Sequence, residues 1–221
     1  PNEAFAQLAG LSGDRIADLF ARAILRDWRE EARRYEVLRK RVSGGRWVRV
    51  TGQGTDLRFS TEGRTWAIDD ARINVPGGEI FTAPVEQSVS GTISFEHPGV
   101  FAGVLMEGIE LTFEDGVVKT ARARTTEDFL REVLAIDEGA GRLGEFGIGT
   151  NRALDSFTND IFWDEKIFGT IHIALGRSYP QCGGTNESAL HWDIVKDLRR
   201  RGSIVVDGET LFQDGEWRFP W

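Results

Sequence analysis

The chain holds three histidines, His97, His172 and His191, among 221 residues. His97 precedes Pro98-Gly99 and reads as a turn residue. The other two lie in the stretch richest in polar loop residues. It runs Gly169-Thr170-Ile171-His172, Ser178-Tyr179-Pro180, Gly183-Gly184-Thr185-Asn186 and His191-Trp192-Asp193. In an extended segment, side chains two apart share a face, so His191 and Asp193 can meet one metal ion. Imidazole nitrogen beside carboxylate oxygen suits zinc, cobalt or manganese. His172, with Ala174 on its own face, can project into the same site from a neighbouring strand. Taken alone, a His-x-Asp pair is more often an ordinary surface or core pair.

Two imidazoles and one carboxylate do not complete a two-metal site, and with 35 acidic residues spacing selects no partners. Context singles out two. Glu79 stands between Pro76-Gly77-Gly78 and the apolar Ile80-Phe81, where burial is expected and a buried charge needs a partner such as a metal. Glu145 sits in Gly144-Glu145-Phe146-Gly147-Ile148-Gly149, whose glycines allow close backbone approach around one acid. That run has no strand–loop–helix context and is not a dinucleotide loop. Tyr179, before a proline turn, reads on its own as a core tyrosine. Lys166 reads as the partner of a nearby acid, with contact to a substrate carbonyl as the alternative. Cys182 reads as a bystander, or as a thiol that oxidation or a soft metal would poison.

Composition bounds what can position these residues. A hydrophobic share of 40% and a charged share of 28% describe an ordinary globular chain, and no apolar run is long enough to span a bilayer. One cysteine excludes an internal disulfide or a multi-cysteine zinc cluster and fits a reducing, cytoplasmic compartment. A net charge of −8 argues against nucleic acid as a partner. The apolar spacing predicts one helix over 11–42, capped by Ser12 or Asp14 and stopped by Gly44-Gly45, with a solvated arginine-rich face. Beyond it, Trp47–Val50 with Leu57–Phe59, Gly108–Phe113 with Val117–Ala123, and Ile204–Val206 with Thr210–Phe212 read as hairpins. Short apolar strands are expected at 65–68, 80–83, 89–95 and 171–174. Helices are expected at Thr126–Ile136, capped by Thr126, and for a turn or two at Ile194–Arg201. The expected class is α+β, with mostly antiparallel sheets and a long N-terminal helix.

Six blocks, in order along the chain, resemble the M29 family of metallo-aminopeptidases, the aminopeptidase T and aminopeptidase S group. They are Pro76–Pro84 around Glu79, Gly144–Asn151 around Glu145, Asp164-Glu165-Lys166 with Gly169–His172, Ser178-Tyr179-Pro180, Gly183–Asn186 and His191-Trp192-Asp193. The resemblance implies two divalent ions, zinc, cobalt or magnesium, held by Glu79, Glu145, His172, His191 and Asp193, with Glu145 bridging. Tyr179 falls at the family's active-site tyrosine, as a metal contact or hydrogen-bond donor, Glu79 is also the candidate proton carrier, and Glu165 is a secondary candidate. It implies an aminopeptidase acting on peptides with a free N-terminus, and a homodimer. Residues 1–45 would join an upstream α/β domain to a catalytic unit at 46–221, and an opening Pro1 fits a fragment or a processed product. The alternatives are another two-metal hydrolase, such as a phosphoesterase, and a non-catalytic binding module. A phosphoesterase would need cationic clamps, yet residues 144–193 hold only Arg152, Lys166 and Arg177 as basic residues.

Overall fold

The computed structural model describes residues 2–221. Helices α1 (Glu3–Ala9), α2 (Gly13–Ile24) and α3 (Trp28–Val42) open the chain. The single helix expected over 11–42 is therefore two. Ser12 caps α2 by accepting from the Arg15 amide. The chain leaves helical geometry at Leu25, and Asp27 restarts it by accepting from the Arg29 and Glu30 amides. Strands follow: β1 (Trp47–Gly52), β2 (Thr55–Ser60), β3 (Ala67–Asp69), β4 (Glu79–Thr82), β5 (Ser90–Ser94), β6 (Gly99–Phe101), β7 (Val104–Met106), β8 (Glu110–Glu114) and β9 (Val117–Arg122). Then come α4 (Glu127–Leu134), β10 (Leu143–Gly149), α5 (Ile161–Asp164), β11 (Thr170–Gly176), β12 (His191–Asp197), β13 (Ser203–Val206), β14 (Glu209–Gln213) and β15 (Glu216–Trp217).

The strands form an eight-stranded sheet, β15-β14-β13-β1-β2-β5-β8-β9, a five-stranded sheet, β12-β11-β10-β4-β3, and the ribbon β6-β7. Every pairing between these strands is antiparallel, so the mixed, mostly antiparallel architecture is as expected. The two larger sheets share one core. Val48, Val50, Leu57, Phe59, Leu111 and Phe113 of the first meet Ile80, Phe146, Ile148, Ile171, Ile173, Trp192 and Ile194 of the second. Phe59 and Phe146 touch across it with ring centroids 4.7 Å apart. Each such buried side chain contributes about 1.5–3 kcal/mol. Helix α3 adds Tyr35, Leu38 and Val42 to the same core. Helix α2 builds a smaller cluster, with Ile16, Leu19, Phe20 and Ala23 against Ala153, Leu154 and Ile167.

Two local expectations change, and a run given no expected structure proves to be a strand. Ile194–Arg201 is not helical: Ile194 to Asp197 complete β12, whose β-branched residues pair with β11. Thr126 does not cap α4 through its side chain. It takes a left-handed conformation, and its hydroxyl donates to the Leu105 carbonyl. The glycine-rich run at 144–149 is a strand, β10, at the centre of the five-stranded sheet and buried throughout.

Candidate metal centre

Strand alternation sorts the five-stranded sheet into two faces. One carries the shared core. The other carries Glu145, Gly147 and Gly149 of β10, His172 and Ala174 of β11, His191 and Asp193 of β12, and Glu79 and Phe81 of β4. The register brings them into line: Gly149 opposes Glu79, Gly147 opposes His172, and Ala174 lies between Glu145 and Asp193. Small residues stand between the polar ones, which leaves room for long side chains to converge. Gly147 is required there, because a β-carbon on it would collide with the His172 ring. Gly149 is packed against the Ile167 carbonyl in the same way.

The convergence is close. His172 Nε2 lies 3.2 Å from Glu79 Oε2 and 3.5 Å from Glu145 Oε1. His191 Nε2 lies 3.3 Å from both Glu145 Oε2 and Asp193 Oδ2. Two donor triads result, Glu79–Glu145–His172 and Glu145–His191–Asp193, each with its ligand atoms within 4.8 Å of one another and with Glu145 common to both. Glu165, His172 and Asp193 form a third such group. Glu79, Glu145 and His172 are buried, whereas His191 and Asp193 are partly open.

The neighbours orient these groups. The Arg177 carbonyl lies 2.9 Å from His191 Nδ1 and accepts its hydrogen bond, which turns Nε2 toward the carboxylates. Lys166, fully buried, donates to Glu79 Oε1 at 3.3 Å and to Glu165. Glu79 is thus held by one oxygen and presents the other to His172. Asp69, opposite Glu79 on the same face, is a carboxylate that no sequence signal marked. It accepts from the amides of Ala71, Ile73 and Asn74 and fixes the loop before Glu79.

So many buried carboxylates demand cations. Burial would lower the basicity of both imidazoles, but hydrogen bonds outweigh it. Asp193 and Glu145 raise His191 to about 11, and Glu145 and Glu79 raise His172 well above the usual histidine range. Burial and the charge of Glu79 push Glu165 up to about 8. Burial and the same carboxylates raise the Tyr179 phenol, which stays protonated. Within the cluster, His172 Nδ1 and Asp193 Oδ1 are buried without a partner. The donor set, oxygen and nitrogen with no sulfur, fits divalent zinc, cobalt or magnesium.

Of the residues the sequence singled out, Glu79, Glu145, His172, His191 and Asp193 are brought together here. Tyr179 flanks it, its ring 5.3 Å from His191 and 5.1 Å from Phe81. Cys182 packs with Phe81 and Ala83, buried beneath. His97 takes no part: it stacks on Phe157 with centroids 3.4 Å apart. Asn186 donates its side-chain amide to the Gly139 and Gly176 carbonyls, which ties the loop before β12 to the sheet.

A family model for thermophilic metalloproteases, M29, matches residues 20–217. The chain belongs to the M29 family. M29 relatives include aminopeptidase T of Thermus thermophilus, 33% identical over 187 residues, which are 74% of this chain and 45% of that protein. Aminopeptidase 2 of Geobacillus stearothermophilus is 32% identical over 169 residues, 66% of this chain and 40% of that protein. The chain therefore spans less than half the length of these curated M29 relatives. The solved structure of AmpT from Thermus thermophilus superposes with a TM-score of 0.74 at 27% identity, over 87% of this chain and 55% of that one. A 2,5-dihydroxypyridine dioxygenase from Pseudomonas putida reaches the same TM-score of 0.74 at 18% identity, a likeness of fold alone. No helix among the described residues is long and apolar enough to cross a membrane.

Proposed function

We propose that this chain is the metal-binding catalytic part of a metallo-aminopeptidase that removes the first residue from peptides with a free N-terminus. The observation that carries the reading is the pair of donor triads sharing Glu145. Glu79, Glu145, His172, His191 and Asp193 would hold two divalent ions, zinc, cobalt or magnesium, with Glu145 between them and Tyr179 at the edge. When bound, such ions supply Lewis acidity to a peptide carbonyl and to a water molecule.

The protein's own groups do the rest. Glu79 and Glu145 fix His172, Glu145 and Asp193 fix His191, and the Arg177 carbonyl holds the His191 orientation. Lys166 pins one oxygen of Glu79. As the candidate proton carrier, Glu79 takes the proton released by the attacking water and returns it to the departing amine nitrogen. The Tyr179 phenol, protonated across the working pH range, donates to the oxyanion that forms at the scissile carbonyl. A free α-amine binds where the ends of the carboxylate cluster lie open, at His191 and Asp193, so cleavage stops after one residue.

Residues 46–221 carry all of this machinery, and residues 1–45 lead into it. We place the working enzyme in the cytoplasm as a homodimer, which the single buried cysteine fits. The test is cleavage of an amino-acid arylamide. A chelator is expected to abolish it, and zinc, cobalt or magnesium to restore it. Arylamides with an acetylated amine, and phosphoesters, are expected to remain intact. Turnover that survives metal removal contradicts the reading.

A further inference from the structure

Asn151 lies just beyond the end of β10, fully buried and outside the donor cluster. All its polar groups are in use, and they reach several separate segments. The side-chain amide donates to the Gly77 carbonyl at 3.1 Å and to the Ala23 carbonyl at 3.3 Å. Its Oδ1 accepts from the Ala153 amide at 3.0 Å. The backbone amide donates to the Lys166 carbonyl at 2.9 Å, and the backbone carbonyl accepts from the Phe168 amide at 3.2 Å.

Two of these segments carry the ion pair inside the site. Gly77 stands two residues before Glu79, and Gly78 between them is pressed onto Asn151: a β-carbon on Gly78 would lie 2.5 Å from that of Asn151. The Thr150 amide donates to the Gly78 carbonyl at 2.8 Å. Lys166, whose carbonyl Asn151 holds, is the residue that donates to Glu79 Oε1. One residue thus clamps both backbones from which Glu79 and Lys166 reach each other. A third segment is the last turn of α2, where Ala23 carries one of the carbonyls a helix leaves without an internal partner. Only a side chain with two donors and one acceptor satisfies this place. Aspartate has the same shape, but it would set an oxygen against two carbonyls.

We propose that Asn151 is a positioning residue of the metal centre. By tying the turn before Glu79, the Lys166 segment and the end of α2 to one point, it sets where the Glu79 carboxylate stands. The inference rests on the aminopeptidase reading, in which Glu79 is both metal donor and proton carrier.

Cobalt alone is the probe, because its visible bands report ligand geometry without turnover. Asn151→Asp is expected to shift those bands and to weaken cobalt binding about tenfold, measured by competition with a chelator. Asn151→Ser, which keeps an acceptor and one donor, is expected to fall between it and the parent, and it decides the matter if the aspartate variant does not fold. Leu111→Ala, a truncation in the shared core, controls for lost stability. It is expected to lower the melting temperature while leaving bands and affinity at the parent's values. On a leucine arylamide, Asn151→Asp should lower kcat about tenfold with KM little changed. Parent-like bands and affinity in the Asn151 variants, or the same changes in Leu111→Ala, overturn the assignment. Failure of the peptidase reading shows itself differently, as altered cobalt bands in the variants of a parent that releases no first residue from any peptide.

Discussion

Gly147 stands directly opposite His172 in the β10–β11 pairing, and the space its missing side chain leaves is filled by the imidazole ring. The sheet thus uses one residue without a side chain to seat another that carries chemistry. Gly147→Ala is expected to push the ring off its position. Overpacking of this kind costs about 1–3 kcal/mol of stability. Loss of ligand orientation should weaken metal binding by roughly 10- to 100-fold. Metal titration followed by calorimetry, with a melting curve on the same sample, checks both.

That pairing also explains what could be read from the sequence. The residue types and order of the six blocks were enough to name Glu79, Glu145, His172, His191 and Asp193 as one set, and all five converge. Their strands were harder to see. Glycines at 144, 147 and 149 give β10 the look of a loop, because local propensity disfavours glycine in strands. What those glycines do, accommodating His172 and the Ile167 carbonyl, depends on residues 25 and 18 positions away from Gly147 and Gly149. The break between α2 and α3 was hidden for the opposite reason. The apolar period runs on through Leu25–Asp27, yet Asp27 offers a cap that restarts the helix. Asp69 gave no signal at all, since its role is set by sheet register against Glu79.

Lys166 is the buried cation of the cluster, bonded to both Glu79 and Glu165. Removing one partner from a buried ion pair leaves uncompensated charge. Lys166→Met is expected to destabilise the metal-free protein by about 3–5 kcal/mol. Added zinc should recover part of that loss, because metal binds only the folded state. Chemical denaturation with and without chelator measures both. Equal stability of variant and parent in chelator would contradict the assigned role.

Tyr179→Phe removes a phenol that is assigned to the oxyanion and makes no hydrogen bond among the described residues. Turnover is expected to fall on the order of a hundredfold. The fold should persist, since the ring keeps its packing on Phe81 and His191. Steady-state kinetics beside a melting curve decides the matter.

Acid sensitivity should have an identifiable component away from the cluster. Burial would raise the Glu86 carboxyl, but bonds from Thr185 and the charge of Arg64 outweigh it and hold it below the usual range. A depressed folded-state value stabilises fully above the unfolded carboxylate value of about 4.3 and is lost as pH falls below it. Glu86→Gln is therefore expected to cost about 1–3 kcal/mol near neutral pH and to flatten the acid limb of the stability profile. Melting temperatures of parent and variant, followed downward from about pH 5, should converge.

The central claim is that Glu79, Glu145, His172, His191 and Asp193 together hold a pair of divalent ions. Anomalous diffraction at the zinc edge, on crystals of the zinc-loaded protein, tests it directly. The account predicts two peaks among these five side chains, with Glu145 touching both. Zinc peaks only elsewhere on the surface, with the cluster empty, would contradict it.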